Sequence, residues 1–418
     1  MRPPFRRSVA EHQDAIEALL GPALRSLGSE SVGLDEALGR TLAMALLAPR
    51  ALPPWDNSQM DGYAVHTADL GPEPLRVVAP IAAGQQAPAL ERGTTAPIMT
   101  GAPMPAGADT VIPIEAATPD TFPSADELVS GFRVLLPGSS PAGNYVRTRG
   151  SDIVENSMVL GAGTLLGPTA LGLLAGLGID TVSVFTRPRV LLLSTGDELV
   201  LPGGELGPGQ IHDSNTTLLR TALLSAGCRV DTTGLLDDSP EHFTAALAAA
   251  LGAGGQRYQL VLSSGGISKG AFDVVKEVLG DHGIDFGSVA MQPGGPQGVG
   301  TLALPGCEPV CFMALPGNPV SAYVSYEMFL RPVLASALGL PGRTRVTATL
   351  SEAMDSMPSK VQVRRGTWDS GTFMPLGGAS SHLLAALAAS NALILIDEDT
   401  TTLPAGSPVQ VLIIGDGS

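Results

Sequence analysis

Three short apolar runs in the middle of the chain each end in a turn that combines glycine with hydroxyl, carboxylate or amide side chains. The runs and their turns are Leu191 to Glu198, Leu260 to Gly270, and Phe312 to Pro319. Buried parallel strands are continuous apolar runs, and open α/β sheets bind ligands beyond the carboxyl ends of their strands. The sequence therefore predicts that the three turns meet in one ligand-binding crevice.

The second turn carries two adjacent glycines, Gly265 and Gly266, ahead of a helical pattern that begins near Asp273. Glycines let backbone N–H groups approach a ligand closely, and a helix N-terminus favours negative charge, so this turn suits phosphate or another oxyanion. It matches neither the Walker A pattern nor the dinucleotide fingerprint. The alternative is that the turn is only a tight connection.

The third turn places Pro319 where a helix begins, a position at which the missing N–H of proline costs nothing. Gly317 and Asn318 just before it add further amide groups to the predicted crevice. A well-formed helix start with no ligand is the alternative interpretation.

Acidic residues cluster near the same predicted edge of the sheet, namely Asp197, Glu198, Asp213, Asp237, Asp238 and Asp273. Several carboxylates beside an anion site repel the ligand unless a hard cation such as Mg²⁺ bridges carboxylate and phosphate oxygens. The sequence therefore predicts a magnesium requirement. For Asp213 and Asp273, a role as helix cap or first-turn residue is the alternative.

A stretch near the start of the predicted β lobe, Trp55 to Val65, holds an aromatic residue, two carboxylates, amides and a methionine without helical or alternating order. Densely polar loops are commonly recognition elements, so we expect this one to contact a ligand. A structured turn with its corner at Asp61-Gly62 is the alternative.

Composition limits the class of protein. The 418 residues indicate two to four domains, and 44% hydrophobic residues suffice for globular cores. A formal charge of −16 disfavours nucleic acid and anionic membranes as partners. No secretory signal follows the first arginines, and the segment from Leu165 to Ile179 is too short to span a bilayer. With Cys228, Cys307 and Cys311 expected as reduced thiols, the sequence predicts a cytoplasmic protein.

The fold class predicted is multidomain α/β plus β. A capping box at Ser8 to Glu11 begins an amphipathic helix, and a second short helix is expected over Leu34 to Leu47. The predicted domains are a helical and linker domain (1–50 and 151–185), a small β lobe (51–150), a central α/β domain (186–336) and a C-terminal β-barrel (337–418), with a sandwich as the alternative for the last.

These segments together resemble the molybdopterin molybdenumtransferase family, which comprises the MoeA proteins and gephyrin E domains. The matching segments run in family order along nearly the whole chain: Asp56 to Val65, Ile98 to Pro103, Arg149 to Asp152, Ser194 to Leu199, Ser263 to Ser268 with Asp273, and Leu315 to Ala322. The glycine loop alone is shared with related adenylylating domains, so the specificity lies in the combination.

The resemblance implies a reaction in which adenylylated molybdopterin is bound, molybdate is delivered to the dithiolene sulfurs, and the phosphoanhydride is hydrolysed to release AMP with the help of Mg²⁺. It implies a central domain of the molybdopterin-binding type. It also implies a homodimer in which the α/β domain of one subunit faces the β lobe of its partner across the active site.

By position, the resemblance assigns an acidic active site to Asp61, Thr100, Glu198, Asp237 or Asp238, and Asp273. The charge argument for a magnesium ion assigns Glu198 and Asp273 as its ligands. Which of Asp237 and Asp238 faces the ligand stays open. Arg147, Arg149 and Ser381 are expected near the anion site. Pterin and phosphate contacts are assigned to Ser263, Ser264, Gly265, Gly266, Ser268, Gly317 and Asn318.

One segment departs from the family pattern. Many members carry Lys-Pro-Gly-Lys-Pro, whereas this chain has Gln292 and Gly295 at the two lysine positions. Loss of both cations is expected to weaken oxyanion binding unless another group substitutes, and Lys269 in the glycine loop is the predicted substitute. A solvated Lys269 without that role is the alternative.

Two rival functions remain at this point. One is adenylylation of molybdopterin with ATP, against which the extra β lobe and the C-terminal segment argue. The other is a molybdopterin carrier or scaffold without turnover, which the two missing lysines motivate.

Overall fold

The computed structural model describes residues 4–236, 239–252, 257–267 and 274–415. The chain divides into two compact units. The first comprises Met1–Ser31, Gly39–Ala43 and Ser183–Ser418, and the second comprises Val32–Leu38 and Met44–Val182.

The chain begins with strand β1 (Phe5–Arg7) and helix α1 (Val9–Arg25), followed by β2 (Ser29–Gly33). The predicted capping box is present, because Ser8 Oγ accepts from Glu11 N at 3.2 Å while the Glu11 carboxylate accepts from Ser8 N at 2.7 Å. The apolar face of α1 is buried through Ile16, Leu20 and Leu24. The amphipathic helix predicted at the N-terminus is thereby confirmed.

The prediction of a second helix, over Leu34 to Leu47, is wrong. Only one 3₁₀ turn forms, at Leu34–Glu36, and the chain then reaches β3 (Leu46–Leu47). Gly39 has φ of +70°, a left-handed conformation that ends a right-handed helix. Ala37 and Leu42 are buried, but Leu38 and Leu47 are more than half exposed, so the apolar residues of this segment do not form one buried helical face.

The second unit contains the predicted β lobe. Its central sheet has five strands in the order β8-β5-β7-β6-β9. Its core includes Tyr63, Val65, Ile112 and Val134. The elements up to the end of this part of the chain are β4 (Asn57–Ser58), β5 (Gly62–Val65), β6 (Leu75–Val77), β7 (Thr94–Ile98), β8 (Thr110–Pro113), α2 (Ala125–Val129), β9 (Arg133–Val134), β10 (Val146–Arg147), β11 (Met158–Leu160), α3 (Pro168–Gly176) and β12 (Thr181–Phe185).

The α/β part of the first unit follows the predicted alternation of strands and helices. Its elements are β13 (Arg189–Thr195), β14 (Leu199–Val200), β15 (Ile211–His212), α4 (Asn215–Ser225), β16 (Arg229–Leu236), α5 (Pro240–Gly252), β17 (Leu260–Ser264), α6 (Val274–Leu279), β18 (Ile284–Val289), β19 (Met291–Gln292), β20 (Pro296–Leu302), β21 (Val310–Leu315), α7 (Pro319–Ser325) and α8 (Arg331–Leu338), with a π-helical turn at Tyr326–Leu330 between the last two helices.

These strands form a seven-stranded sheet in the order β1-β18-β20-β21-β17-β13-β16. Strands β16, β13, β17 and β21 run parallel. Alternate residues of β13 pack on opposite faces: Leu192 joins the core formed with α1 and α4, and Leu193 joins the core formed with α5 and α6. Helices on both faces explain why these strands are continuous apolar runs in the sequence.

The C-terminal part closes into the predicted barrel. Strands β24, β25, β22, β28 and β26 are hydrogen-bonded neighbours in that order, and β26 also pairs with β24 to close the barrel. The elements are β22 (Arg345–Leu350), β23 (Met354–Asp355), β24 (Val361–Asp369), β25 (Thr372–Pro375), α9 (Leu384–Ala388), β26 (Ala392–Ile396), β27 (Thr402–Leu403) and β28 (Pro408–Ile413). Within the described residues, no helix is both long enough and apolar enough to cross a membrane.

Candidate active site

The three glycine-bearing turns meet at one edge of the seven-stranded sheet, as predicted. Ser194 pairs with Ser264 and Ser264 with Leu315, so the carboxyl ends of β13, β17 and β21 lie abreast. A crevice of about 460 Å³ opens beyond these ends. Its described lining is contributed by all three turns together with β14, β15, α4, α7 and Pro296: Thr195, Gly196, Glu198, Leu199, Ile211, Asn215, Ser264, Gly265, Gly266, Ile267, Pro296, Pro316, Gly317, Asn318 and Ser321.

Glycine is required where the turns touch. A methyl group on Gly265 would lie 2.9 Å from Thr195 O, and one on Gly317 would lie 3.2 Å from Gly265 Cα. Gly265 also has φ of +101°, a backbone conformation that other residues rarely adopt. Larger side chains at these positions would therefore push the three turns apart and alter the crevice.

Asn215, the first residue of α4, holds two of the turns in place. Its Nδ2 donates to Ser264 Oγ at 2.8 Å and to Gly317 O at 2.7 Å. The side chain is buried, and its Oδ1 has no hydrogen-bond partner among the described residues. Sequence reasoning missed Asn215; the polar run that precedes α4, from His212 to Ser214, was the available signal.

The crevice wall contains buried polar atoms that lack partners. Besides Asn215 Oδ1, Thr195 Oγ1 is buried without a partner within the described part of the chain. Buried polar groups are nearly always hydrogen-bonded, so unsatisfied ones at a cavity wall indicate contacts with a ligand or with ordered water. The crevice wall therefore offers free hydrogen-bonding atoms to a polar ligand.

Glu198 is the one charged side chain among the described residues that line the crevice. Its carboxylate lies against the first turn, where a methyl group on Gly196 would be 2.5 Å from Glu198 Oε2. Asp213 has the capping role that was its alternative interpretation: its carboxylate accepts from the backbone N of Thr216 at the start of α4, at 3.1 Å.

The other acidic candidates, Asp237, Asp238 and Asp273, lie outside the described residues. No group of three or more His, Cys, Asp or Glu residues that could hold a metal ion occurs in the part of the chain that is described. Mg²⁺ commonly takes only one or two carboxylates and completes its shell with water and substrate phosphate. Glu198, which lines the same crevice as Gly265 and Gly266, fits that pattern.

The remaining candidates of the glycine loop differ in position. Ser264, Gly265 and Gly266 line the crevice, whereas Ser263 is fully buried in β17 and does not. Ser268 and Lys269 lie outside the described residues.

Asn318 lines the crevice and also caps α7, because its Oδ1 accepts from Val320 N at 3.1 Å. Pro319 is the first residue of that helix, as predicted.

The turn that departs from the family pattern borders the crevice through Pro296. Gln297, buried within it, donates from Nε2 to Gly294 O at 2.7 Å and to Ser325 Oγ at 2.8 Å. The turn is thus anchored to α7 by neutral hydrogen bonds, and it brings no cation to the described wall of the crevice.

A second cluster of candidates lies in the β lobe. Asp61 Oδ1 accepts from Thr100 N at 2.6 Å and from Thr100 Oγ1 at 2.9 Å. The hydrogen bond from the backbone N of Thr100 is the main cause that lowers the pKa of Asp61 below its usual value, and the hydrogen bond from the Thr100 hydroxyl lowers it further. Asp61 is exposed and is therefore a fixed negative charge at neutral pH.

The arginine candidates belong to the same lobe. Arg147 pairs with Asn57 in the ribbon formed by β10 and β4. Arg149 donates from its backbone N to Asp56 Oδ1 at 2.6 Å, and its guanidinium contacts Glu155 at 2.7 Å. The polar loop from Trp55 and the segment around Arg149 are thus brought together within the lobe.

Ser381 belongs to the barrel and is not among the described residues that line the crevice. It lies in the turn before α9. Arg365 fixes that turn by donating from Nη2 to Gly378 O at 3.2 Å and to Ser380 O at 3.0 Å.

Comparison with known families covers most of the chain in three segments. Residues 7–178 match the model of the MoeA N-terminal region (domain I and II), residues 191–336 that of a probable molybdopterin binding domain, and residues 347–414 that of the MoeA C-terminal region (domain IV).

Individual relatives match over nearly their whole length. The chain is 39% identical to molybdopterin molybdenumtransferase 2 of Mycobacterium tuberculosis, with 97% of this chain and 99% of the relative covered. It is 33% identical to the molybdopterin molybdenumtransferase of Haemophilus influenzae, with 92% and 93% covered. A solved MoeA structure from Pyrococcus horikoshii superposes with a TM-score of 0.79 at 27% identity, covering 99% of this chain and 100% of that one.

Proposed function

The chain belongs to the molybdopterin molybdenumtransferase family, and we propose that it inserts molybdate into adenylylated molybdopterin with release of AMP. Membership makes it a transferase of molybdenum cofactor biosynthesis.

The observation that carries the proposal is the crevice at the ends of β13, β17 and β21. It combines a glycine turn suited to phosphate with buried polar atoms that lack partners, Thr195 Oγ1 and Asn215 Oδ1. A pterin nucleotide offers both the phosphate and a flat polar ring system that such a wall can bind. Ser264, Gly265, Gly266, Gly317 and Asn318 make these contacts in our proposal.

Mg²⁺ supplies charge neutralisation between the acidic residues and the substrate phosphates when it is bound. Glu198 and Asp273 would hold it. Support comes from the position of Glu198 on the wall of the crevice that Gly265 and Gly266 also line. Asp237 or Asp238 would add a further carboxylate.

The β lobe contributes Asp61, Thr100, Arg147 and Arg149. Thr100 orients the Asp61 carboxylate through two hydrogen bonds and keeps it ionised, so Asp61 can accept a hydrogen bond from substrate as a fixed negative charge. The two arginines supply positive charge for the anionic parts of the substrate, and Ser381 of the barrel adds a hydroxyl.

We further propose that two copies form a homodimer and that each active site combines the α/β domain of one copy with the β lobe of the other. An exposed apolar pair supports self-association: Leu47 and Met158 are cross-strand neighbours and are 57% and 68% exposed. Exposed apolar surface of this kind commonly marks an interface.

We place the protein in the cytoplasm. The three cysteines are unpaired, and burial raises the pKa of Cys228 to about 12. Such thiols are suited to a reducing compartment.

The decisive test of function is AMP release. Purified protein is incubated with adenylylated molybdopterin and Mg²⁺, with or without molybdate, and AMP and active cofactor are measured. We expect both products only when molybdate is present. Binding of the nucleotide without AMP release would instead identify a carrier, and consumption of ATP would identify an adenylylating enzyme.

A further inference from the structure

A second cavity, which we call the side chamber, adjoins the crevice. Its volume is about 260 Å³, and it shares Ile267 and Pro296 with the crevice wall. Its wall also includes Arg6 and Lys276, two cations that the proposed function has not used. Neither side chain has an acidic partner within the described part of the chain.

Strand pairing places Arg6 next to the crevice. Arg6 of β1 pairs with Ser288 of β18, and Ser288 pairs with Pro296 of β20. Residues paired across neighbouring strands point to the same face, and adjacent strands lie about 4.8 Å apart. Arg6 and Pro296 therefore lie on the same face of the sheet, with their Cα atoms about 10 Å apart. An arginine side chain on β1 can extend towards Pro296 over that distance.

Lys276 contributes to the chamber wall from helix α6. Its backbone N donates to Gly266 O at 3.3 Å, so the first turn of α6 is tied to the glycine turn of the crevice. A methyl group on Gly266 would lie 2.7 Å from Val275 Cγ2, which shows how closely that helix packs against the turn. Lys276 is partly buried, which restricts its motion.

The charges on the two sides of the shared wall are opposite in sign. The described wall of the crevice carries Glu198 and no cation, whereas that of the side chamber carries two cations and no acid. In a chain with a formal charge of −16, such a pair is a local positive region that attracts anions and raises their local concentration.

We infer that the side chamber is the binding site for free molybdate, a small tetrahedral oxyanion, and that Arg6 and Lys276 hold it beside the crevice. This inference rests on the proposed function, since it assigns the site of one of the two substrates. Arg6 and Lys276 thereby supply the positive charge that the turn from Gln292 to Gln297 lacks. The phosphate of the nucleotide binds at the glycine turn instead.

The test compares the intact protein with the double variant Arg6→Gln/Lys276→Gln. Calorimetric titration with sodium molybdate is expected to show affinity weakened by about tenfold or more, because two charge-assisted contacts are lost. Titration with AMP is expected to give unchanged affinity. In steady-state assays the KM for molybdate rises while kcat at saturating molybdate stays near that of the wild type.

A matched control is Arg76→Gln/Lys360→Gln, which removes the same charge from two exposed sites elsewhere. It is expected to bind molybdate like the wild type, and Arg6→Lys/Lys276→Arg is expected to retain most of the affinity. Equal molybdate affinity in the double variant and the wild type would overturn the assignment, and so would loss of AMP affinity instead. Because direct molybdate binding is measured, an absence of AMP release in the wild type would count against the proposed function and leave this test intact.

Discussion

At the scale of single residues, the site depends on side chains that orient other groups. Thr100 gives Asp61 two hydrogen bonds, and Asn215 connects the turns after β17 and β21. Both residues are small and polar, and each contacts partners far away in the chain. Substitutions at these positions should therefore act mainly on the pKa of Asp61 and on the positions of the turns after β17 and β21.

Thr100→Ala is expected to raise the pKa of Asp61 part of the way to its usual value. The hydroxyl hydrogen bond that favours the carboxylate is lost, while the larger contribution, from the backbone N of Thr100, remains. Titration of the aspartate side-chain carbons by NMR measures this change. Thr100→Ser keeps the hydroxyl and should leave the pKa low; the same pKa in wild type and alanine variant would contradict the assignment.

Asn215→Ala is expected to lower the free energy of unfolding by about 2 kcal/mol, because two buried hydrogen bonds are removed and Gly317 O loses its donor. The affinity for AMP should fall as well, since the turns that form the crevice are no longer fixed. Denaturant unfolding and AMP titration measure both effects. Thr217→Ala, on the exposed side of the same helix, is the control and should change neither by a comparable amount.

At the scale of elements, most local patterns predicted the structure correctly, and one did not. The capping box that begins α1 and the apolar runs of β13, β17 and β21 needed no distant information. The helix predicted over Leu34 to Leu47 does not form, because apolar spacing alone does not show that Gly39 adopts a left-handed conformation in the middle of the segment.

Asn215 escaped prediction for a different physical reason. Its hydrogen-bond partners, Ser264 and Gly317, are 49 and 102 residues away in the sequence. Only the sheet order brings them together, so the role of such a residue follows from topology rather than from spacing. The convergence of the three turns was predictable because parallel strands share one carboxyl edge.

Helix α1 carries a pH-sensitive contact. His12 is fully buried between the rings of Phe5 and Phe329, and burial, reinforced by the nearby charge of Arg7, lowers its pKa to about 4. The unfolded chain binds a proton near pH 6.5, so between these values the unfolded state holds more protons. This contribution to stability is complete above about pH 6.5 and is lost on acidification towards pH 4, by up to about 3 kcal/mol.

His12→Phe is accordingly expected to reduce the loss of stability between pH 7 and pH 4.5, because the ring contacts are kept and the titrating group is removed. Urea unfolding at several pH values measures the slope. The exposed His382→Gln is the control and should leave the slope as in the wild type. An identical slope in the His12 variant would show that other groups cause the acid sensitivity.

At the scale of the whole molecule, the proposed assembly makes a strong prediction about mixed dimers. Asp61→Asn and Glu198→Gln should each inactivate the protein. If every site joins the β lobe of one copy to the α/β domain of the other, a mixed dimer contains one site with both residues intact. Mixing the two inactive variants under conditions of subunit exchange should then restore about a quarter of wild-type AMP release.

Light scattering checks that the mixed samples are dimers, and Leu47→Lys/Met158→Lys is expected to weaken the dimer by placing charge on the exposed apolar pair. Sites formed within a single copy would give no recovery on mixing. A dimer of undiminished stability in the double lysine variant would place the interface elsewhere.

We propose that the crevice at the ends of β13, β17 and β21 holds the pterin nucleotide. A crystal structure of the protein with adenylylated molybdopterin and Mg²⁺, in the absence of molybdate, tests it directly. We expect the phosphates at Gly265 and Gly266, with hydrogen bonds from the ligand to Thr195 and Asn215. A nucleotide bound at another surface, with this crevice empty, would contradict the account.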